Sequence, residues 1–261
     1  MLTIRDVTIG YGENKTVVKN FNLSMEPGEI ISIVGESGSG KTTIIRAILG
    51  LLSDSGKIEK GDIIFQNESV INYSKEQWNK CRGTKMSMIF QDCGSTLNPI
   101  RKIGSQFVEY ILVHEKMTKK EAWNKAISML DKMRLQNSKH IMKSYPFQLS
   151  GGMRQRVGIA MAMTFKPVLL IADEPTSALD VTTQAQIIRE MIELRDNDNT
   201  SIIIVTHNIG VATYMSDRII VMKNGEIVEE GNRFKILNNP SNDYTKKLLD
   251  SVPVMEGKRY V

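Results

Sequence analysis

A strand, a glycine-rich turn and a helix are predicted in succession over residues 29–52 (EIISIVGESGSGKTTIIRAILGLL), and this stretch constrains the rest of the chain most. The apolar run from Ile30 to Val34 predicts a buried strand, and the apolar spacing after Thr42 predicts a helix. Between them, Gly35 to Thr42 match the phosphate-loop pattern GxxxxGK[ST]. Because the motif follows a predicted strand and begins a predicted helix, we prefer phosphate binding to the alternative of a glycine-rich turn with a chance lysine.

Each residue type in this loop suits a nucleotide phosphate. Glycines let the backbone turn without Cβ clashes, so that successive N–H groups and the positive end of the helix can face one anion. Lys41 would add a positive charge for the β and γ phosphates, and Thr42 would offer a hydroxyl to Mg²⁺, which prefers oxygen ligands. The predicted phosphate-binding residues are Gly35, Glu36, Ser37, Gly38, Ser39, Gly40, Lys41, Thr42 and Thr43.

Composition limits the class of protein. With 261 residues, 41% of them hydrophobic, the chain can bury a full core as one large domain or two closely joined lobes. Lys and Arg outnumber Asp and Glu by 34 to 29, but the charges are scattered, which argues against a nucleic-acid-binding arm. Cys81 and Cys93 have neither metal-ligand nor disulfide spacing, which favours a reducing compartment, by default the cytoplasm. We find no signal peptide and no apolar run near the roughly 18 residues that cross a bilayer, so membrane association is expected through a partner.

Polar residues follow two further predicted strands. The apolar run from Val168 to Ala172 is followed by Asp173 and Glu174, and another buried run ends before His207. Because ligands of parallel α/β sheets bind at the carboxyl edge of the strands, these side chains are predicted to lie on the same rim as the phosphate loop. Taken alone, a histidine is more often structural, and that alternative stays open.

Three weaker candidates have common structural alternatives. Tyr11, beside the turn of a hairpin predicted from residues 2–9 and 16–25, could stack on a purine or simply pack within the hairpin. Gln91, at a predicted strand end, could contact a metal or water, or only solvent. Ser150 is a good N-cap for a helix beginning at Gly151 and Gly152, whose N–H groups could bind an anion, although such a sequence is more often a loop.

The remaining pattern mixes short strands and helices. A loop is predicted between Gly56 and Gly61, and a hairpin at Lys223-Asn224-Gly225. From residue 100 to about 165 the pattern is helical, with a capping box formed by Thr118 and Glu121. Other predicted elements are strands at 62–65 and 86–91, helices at 73–81, 182–195 and 244–249, and a core stripe of Trp123, Ala126, Ile127, Leu130 and Met133.

In their order and spacing, these motifs resemble the ATP-binding subunits of ABC transporters over nearly the whole chain. GESGSGKT resembles the Walker A loop, LLIADE at 169–174 resembles Walker B with its adjacent glutamate, LSGGM at 149–153 resembles the signature, and SALD at 177–180 resembles the D-loop. His207 is similar to the switch histidine, Gln91 to the Q-loop glutamine and Tyr11 to the adenine-stacking aromatic. The resemblance therefore favours the functional interpretation of these three residues.

The resemblance implies an α/β P-loop NTPase cassette, with a RecA-like core, an antiparallel β subdomain and an α-helical subdomain. We expect a single domain over 1–261, with the helical subdomain at about 98–164, where it would meet membrane subunits, and a C-terminal tail at about 233–261.

The resemblance also implies ATP hydrolysis with Mg²⁺. Asp173 would bind the metal through a water, with Thr42 and Gln91 as the other implied metal contacts. Glu174 would orient or deprotonate the attacking water, and His207 would contact the γ-phosphate. Two cassettes would dimerise head to tail, so that Ser150, Gly151 and Gly152 of one subunit close on the γ-phosphate bound by Lys41 of the other.

Within that family, three segments resemble the ATPases of dipeptide, oligopeptide and nickel importers: QDCGSTLNP at 91–99, YPFQLSGGMRQR at 145–156 and DYTKKLL at 243–249. Departures from the subfamily pattern occur at Cys93, Asn208 and Asn242-Asp243. The lack of a cysteine-bearing C-terminal extension favours a nickel-type or short dipeptide-type member.

The implied partners are two transmembrane permease subunits, a sister ATPase and, through the complex, an extracytoplasmic substrate-binding protein, with the chain at the cytoplasmic face of the membrane. One alternative is a soluble ABC ATPase acting on ribosomes or DNA, but such proteins usually fuse two cassettes or insert a long coiled coil. A non-hydrolysing structural cassette is opposed by the intact Lys41, Glu174 and His207.

Overall fold

The computed structural model describes residues 1–12, 15–53, 55–177 and 179–250, and the backbone of two short strands at 254–255 and 258–259. This part of the chain divides into two compact units. The first unit comprises Met1–Asn79 and Ser201–Val261, and the second unit comprises Lys80–Thr200. Both units mix strands and helices, as the sequence predicts.

The strands are β1 (Leu2–Tyr11), β2 (Lys15–Met25), β3 (Ile30–Val34), β4 (Gly56–Phe65), β5 (Glu68–Ser69), β6 (Met86–Ile89), β7 (Leu169–Asp173), β8 (Ser201–Thr206), β9 (Arg218–Lys223), β10 (Glu226–Asn232), β11 (Val254–Met255) and β12 (Lys258–Arg259). The helices are α1 (Lys41–Ile48), α2 (Lys75–Cys81), α3 (Cys93–Thr96), α4 (Ile103–His114), α5 (Lys119–Lys132), α6 (Ser138–Lys143), α7 (Gly151–Met163), α8 (Val181–Asp198), α9 (Ile209–Met215), α10 (Arg233–Asn238) and α11 (Asp243–Asp250), with a 3-10 turn at Pro146–Gln148. The short helices α3, α9 and α10 are not predicted from the sequence.

An antiparallel sheet in the first unit has the strand order β2-β1-β4-β5. The predicted hairpin of β1 and β2 is confirmed, although residues 13 and 14 between the two strands lie outside the described residues. The prediction of a loop between Gly56 and Gly61 is wrong, because these residues belong to β4, which pairs with β1. Gly61 has φ +92°, and a Cβ there would lie 2.3 Å from the carbonyl oxygen of Arg5, so glycine lets the strand continue past a bulge.

A second sheet of the first unit is mostly parallel. Here β3 lies between β8 and β9, all three strands run in the same direction, and β10 adds antiparallel to β9. Every residue of β3 and β8 is buried, which explains why both strands are continuous apolar runs. The β9–β10 turn contains Asn224 and Gly225 at φ +52° and +84°, which confirms the predicted hairpin.

The second unit combines two parallel strands with most of the helices. Strand β6 pairs with β7, with Ile89 opposite Ala172. The helical pattern predicted from about residue 100 to 165 is confirmed by α4 to α7, and the Thr118–Glu121 capping box is present. Three members of the predicted core stripe are fully buried (Ala126, Leu130 and Met133), whereas Trp123 and Ile127 are half-buried. The boundaries of the helical subdomain stay a prediction. Among the helices in the described ranges, none is long and apolar enough to cross a membrane.

Candidate functional site

The phosphate loop begins where β3 ends and passes directly into α1. Gly38 and Gly40 have φ of +82° and +96°, a backbone conformation in which glycine is the unstrained residue. A Cβ at Gly38 would find no heavy atom of the described residues within 4 Å, so space is open beside this peptide. The first turn of α1 contains no acidic side chain, so its positive end is available to an anion.

The Lys41 ammonium lies inside this loop. The residue is 6% exposed, and its Nζ donates to the carbonyl oxygens of Gly35 and Glu36, at 2.7 Å each. Burying a full positive charge is costly unless negative charge or strong acceptors compensate it. Thr42 and Thr43 follow in the first turn of α1, both half-buried. A buried amine, turn and helix N–H groups and two hydroxyls form a donor set that fits a nucleotide phosphate with its Mg²⁺.

His207 lies at the same edge of the sheet as the phosphate loop. In the parallel register, Val34 of β3 lies opposite Thr206 of β8, so Gly35 and His207 follow strand ends that are level with each other. His207 is exposed, and Asn208 caps α9 by accepting hydrogen bonds from the N–H groups of Gly210 and Val211. The amide oxygen of Asn208 therefore supplies the helix cap, a role that an aspartate at this position could also fill.

Tyr11 is the last residue of β1 and is half-buried. Its ring packs against Gly56, where an added Cβ would lie 2.7 Å from the Tyr11 Cε1 atom. This contact is with β4 and not within the β1–β2 hairpin. Adenine stacking stays a prediction.

The second unit brings Gln91 and Glu174 into contact. Because Ile89 of β6 lies opposite Ala172 of β7, the two residues follow level strand ends, and Gln91 Nε2 donates to Glu174 Oε2 at 3.2 Å. Asp173 ends β7 and is 9% exposed. Glu174 has φ +44°, unusual for a residue with a side chain. The predicted acid pair and the predicted Q-loop glutamine thus form one cluster.

The predicted signature residues lie at the start of α7. Ser150 caps this helix, its Oγ accepting from the N–H of Met153 at 3.3 Å. A Cβ at Gly152 would lie 2.8 Å from the Thr183 Cγ2 atom, whereas one at Gly151 would meet its nearest atom at 3.7 Å. An alanine at 152 would therefore require the Thr183 side chain or the start of α7 to move, which glycine avoids. Ala178, within the predicted D-loop, lies outside the described residues.

Gln155 was missed by the sequence reasoning. Its Nε2 donates to the carbonyl oxygen of Pro175 at 2.6 Å, and its side chain is buried. This bond joins the signature helix to the residue that follows Glu174. Between Arg154 and Arg156, Gln155 carries no local signal that sets it apart from a solvated polar residue.

A buried lysine inside a glycine turn, at the carboxyl edge of parallel strands, defines a nucleotide-phosphate-binding α/β protein. The family model described as ABC transporter matches residues 18–177, and the chain belongs to that family. This match confirms the resemblance to ABC transporter ATP-binding subunits. The chain is therefore an ATPase, and its nucleotide is ATP.

Named relatives match almost the whole chain. The oligopeptide transport ATP-binding protein OppD of Escherichia coli (strain K12) is 40% identical over 261 residues, covering 99% of this chain and 77% of the relative. The oligopeptide transport ATP-binding protein AppD of Bacillus subtilis (strain 168) is 43% identical over 242 residues, covering 92% and 74%. The dipeptide transport ATP-binding protein DppD of the same organism is 42% identical over 247 residues, covering 94% and 74%.

Solved structures confirm the predicted cassette fold. The ATP-binding cassette MJ0796, solved as a dimer in a post-hydrolysis state with ADP and Pi, matches with a TM-score of 0.78 and 31% identity, covering 89% of this chain and 99% of that one. CbiO1 from Clostridium perfringens, described as part of the ABC transporter complex cbiONQ, matches with a TM-score of 0.80 and 27% identity, covering 91% and 90%.

Proposed function

We propose that this chain is the ATP-hydrolysing subunit of an importer of dipeptides or oligopeptides. The observation that supports ATP-driven work is the buried Lys41 amine inside the phosphate loop. The relatives named for oligopeptide and dipeptide transport, 40% to 43% identical, support the cargo. Family membership makes the soluble ribosome- or DNA-associated alternative less favourable, because these relatives are named for transport.

The proposed reaction divides its tasks among the predicted site residues. Lys41 neutralises charge on the β and γ phosphates, and Glu174 takes a proton from the attacking water at a carboxylate oxygen. The hydrogen bond from Gln91 to Oε2 orients that carboxylate. His207 contacts the γ-phosphate.

We further propose that Mg²⁺ accompanies the nucleotide. Thr42 would bind it directly, and Asp173 would bind it through a water, with Gln91 as a further contact. Magnesium keeps several waters and needs only one or two protein oxygens beside the phosphates, which these side chains can supply. When bound, the ion spreads and neutralises charge on the phosphate oxygens.

The second nucleotide-binding surface in this proposal is the start of α7. The N–H groups at Gly151 and Gly152, together with the Ser150 side chain, would close on the γ-phosphate bound by another cassette. The dimeric state reported for MJ0796 supports this arrangement. The proposed partners are a sister ATPase, two permease subunits and a substrate-binding protein, with this chain on the cytoplasmic face of the membrane.

Peptides replace nickel as the favoured transported substrate. The prediction of nickel depended on the C-terminal sequence, whereas the names of the relatives state a transported substrate directly. The choice between the two substrates is testable because nickel uptake and peptide uptake can be measured in one strain.

The test is uptake of labelled dipeptide, labelled oligopeptide and nickel by cells that lack the gene. We expect peptide uptake to fall and nickel accumulation to stay normal. Wild-type protein should restore uptake, and Glu174→Gln should not, because removing a general base lowers turnover by roughly 100-fold or more. Glu193→Gln, which changes an exposed glutamate paired with Arg134, is the matched control and should restore uptake.

Loss of nickel accumulation with normal peptide uptake would contradict the cargo. Full restoration by Glu174→Gln would contradict the role of Glu174 in hydrolysis.

A further inference from the structure

The phosphate loop is bonded to the C-terminal helix α11. The N–H of Glu36 donates to the hydroxyl oxygen of Tyr244 at 2.9 Å. The carbonyl oxygen of the same Glu36 accepts from Lys41 Nζ at 2.7 Å. One loop residue therefore bonds on one side to α11 and on the other to the amine predicted to bind phosphate.

Tyr244 occupies a defined position in the first unit. It is 8% exposed and belongs to a buried cluster with Val34, the last residue of β3. Lys223 Nζ lies 4.8 Å from the centre of the tyrosine ring, within the range of a cation–π contact. Burial raises the pKa of the Tyr244 hydroxyl, whose oxygen accepts the hydrogen bond from the Glu36 N–H.

The start of α11 is itself fixed by Glu229 of β10. Glu229 is 6% exposed, and its carboxylate accepts from the Ser241 N–H and hydroxyl, both at 2.7 Å, and from the Asn242 N–H at 3.1 Å. Asn242 Oδ1 in turn accepts from the Tyr244 N–H at 2.9 Å. Burial alone would raise the pKa of Glu229, but the hydrogen bonds from this segment outweigh it and lower the pKa to about 2.

The neighbouring hairpin contacts the other end of the loop, where the Gly225 N–H donates to the Ser39 carbonyl oxygen at 3.1 Å. The loop backbone is thus bonded at Glu36 to α11 and at Ser39 to the β9–β10 turn. A loop fixed before its ligand arrives loses less conformational freedom on binding, which increases affinity.

We infer that Tyr244 is a positioning residue for the phosphate loop. The affinity for MgATP then depends on the hydrogen bonds that join Glu229 to the segment at the start of α11. The inference rests on the proposed nucleotide site. Tyr244, 208 positions further along the chain, orients the Glu36 peptide, and the Glu36 carbonyl oxygen in turn positions Lys41.

The first test compares MgATP affinity of purified full-length wild type and Tyr244→Phe by calorimetry. This change removes the hydroxyl and keeps the ring, and we expect a three- to tenfold weaker Kd, the usual scale for one lost hydrogen bond. Tyr214→Phe is the matched control, because Tyr214 is 46% exposed on α9, and its Kd should not change.

The second readout is amide hydrogen exchange without nucleotide. Exchange over residues 35–40 should be faster in Tyr244→Phe than in wild type, since the Glu36 N–H has lost its acceptor. A purely structural hydroxyl would lower the melting temperature but leave the Kd and the exchange of this loop unchanged. That result would overturn the inference.

Glu229→Gln tests the same link from its other end. It should weaken MgATP binding in the same direction, and the double variant with Tyr244→Phe should be no weaker than the worse single variant, because both changes act through α11. Full additivity would contradict a shared route. If Tyr244→Phe did not fold, Glu229→Gln with its tyrosine intact would decide the question by the same Kd and exchange measurements.

The two proposals fail in different ways. Wild-type protein that does not bind MgATP would refute the proposed function itself. Wild-type binding with an unchanged Kd in both variants would refute only the role of Tyr244.

Discussion

Glu190→Gln should destabilise the protein far more than Glu193→Gln, although both glutamates lie on α8 and both pair with an arginine. Arg156 Nε lies 2.9 Å from Glu190 Oε2, and the two side chains are 13% and 1% exposed. Arg134 lies 2.8 Å from Glu193, and there the side chains are 57% and 53% exposed. The two pairs have the same chemistry and differ mainly in burial.

The difference in burial sets the expected magnitudes. Removing one partner of a buried ion pair leaves an uncompensated charge and costs about 3–5 kcal/mol. An exposed pair contributes about 0–1 kcal/mol, since water screens it. Within the described residues, Arg156 Nη2 and Glu190 Oε1 have no hydrogen-bond partner, so this pair is incompletely compensated even when intact. We therefore expect about 3 kcal/mol for Glu190→Gln and less than about 1 kcal/mol for Glu193→Gln.

Urea unfolding followed by circular dichroism measures both free energies, and thermal unfolding checks them independently. At about 2–4 °C per kcal/mol for a chain of this size, Glu190→Gln should lower the melting temperature by roughly 6–12 °C. Free energies of unfolding within about 1 kcal/mol of each other for the two variants would refute the reasoning. The double variant Arg156→Met/Glu190→Met should recover most of the loss, because no unpaired charge remains buried. If the double variant were as unstable as Glu190→Gln, lost packing rather than charge would be the cause.

Two further changes test the nucleotide site and the signature. Lys41→Ala should weaken MgATP binding by about 100-fold or more in calorimetry, because charge-assisted contacts to two phosphates are lost at about 1.5–3 kcal/mol each. Lys19→Ala, at an exposed ion pair, should not weaken it. Equal affinities would exclude the loop as the phosphate site. Gly152→Ala should cost about 1–3 kcal/mol of unfolding free energy, because its Cβ would lie 2.8 Å from Thr183 Cγ2, whereas Gly151→Ala, with 3.7 Å to its nearest atom, should be tolerated; the reverse order would contradict the close approach of α7 and α8.

The sequence predicts best those elements in which local pattern and burial agree. Strands β3 and β8 are buried at every position, so their apolar runs could hardly be mistaken. Helix α5 has both a capping box and a helical apolar stripe, and its start at Lys119 follows directly from Thr118. In these segments short-range physics and tertiary structure require the same conformation.

Prediction failed where tertiary contacts decided the conformation. Glycines at 56 and 61 are typical of a loop, yet pairing with β1 keeps β4 extended through a bulge at Gly61. Helix α9 has only seven residues, too few for a periodic pattern, and its start depends on the Asn208 cap. The bond from Tyr244 to Glu36 joins residues 208 positions apart, and no local signal could have shown it.

The Gln91–Glu174 contact shows how far the candidate site could be predicted. The acid after β7 is evident from the sequence, but its orientation depends on a backbone conformation that residues with side chains seldom adopt, at φ +44°. Such a conformation costs of order 1–3 kcal/mol and persists only where the surroundings determine it. Here Gln91 bonds the Glu174 side chain, the Ser177 N–H and hydroxyl both donate to its carbonyl oxygen at 3.2 Å, and Gln155 bonds the next residue, Pro175.

The orientation of the glutamate is therefore determined by hydrogen bonds from Gln91 and Ser177, together with the bond from Gln155 of α7 to Pro175. Gln91, which contacts the carboxylate, is a neutral amide and donates its hydrogen bond without adding charge there. A lysine or arginine in place of Gln91 would pair with the acid and lower its basicity, which the general-base role proposed for Glu174 does not tolerate. The site thus combines a strained, oriented carboxylate with an uncharged donor, and this combination depends on the fold as much as on the motif.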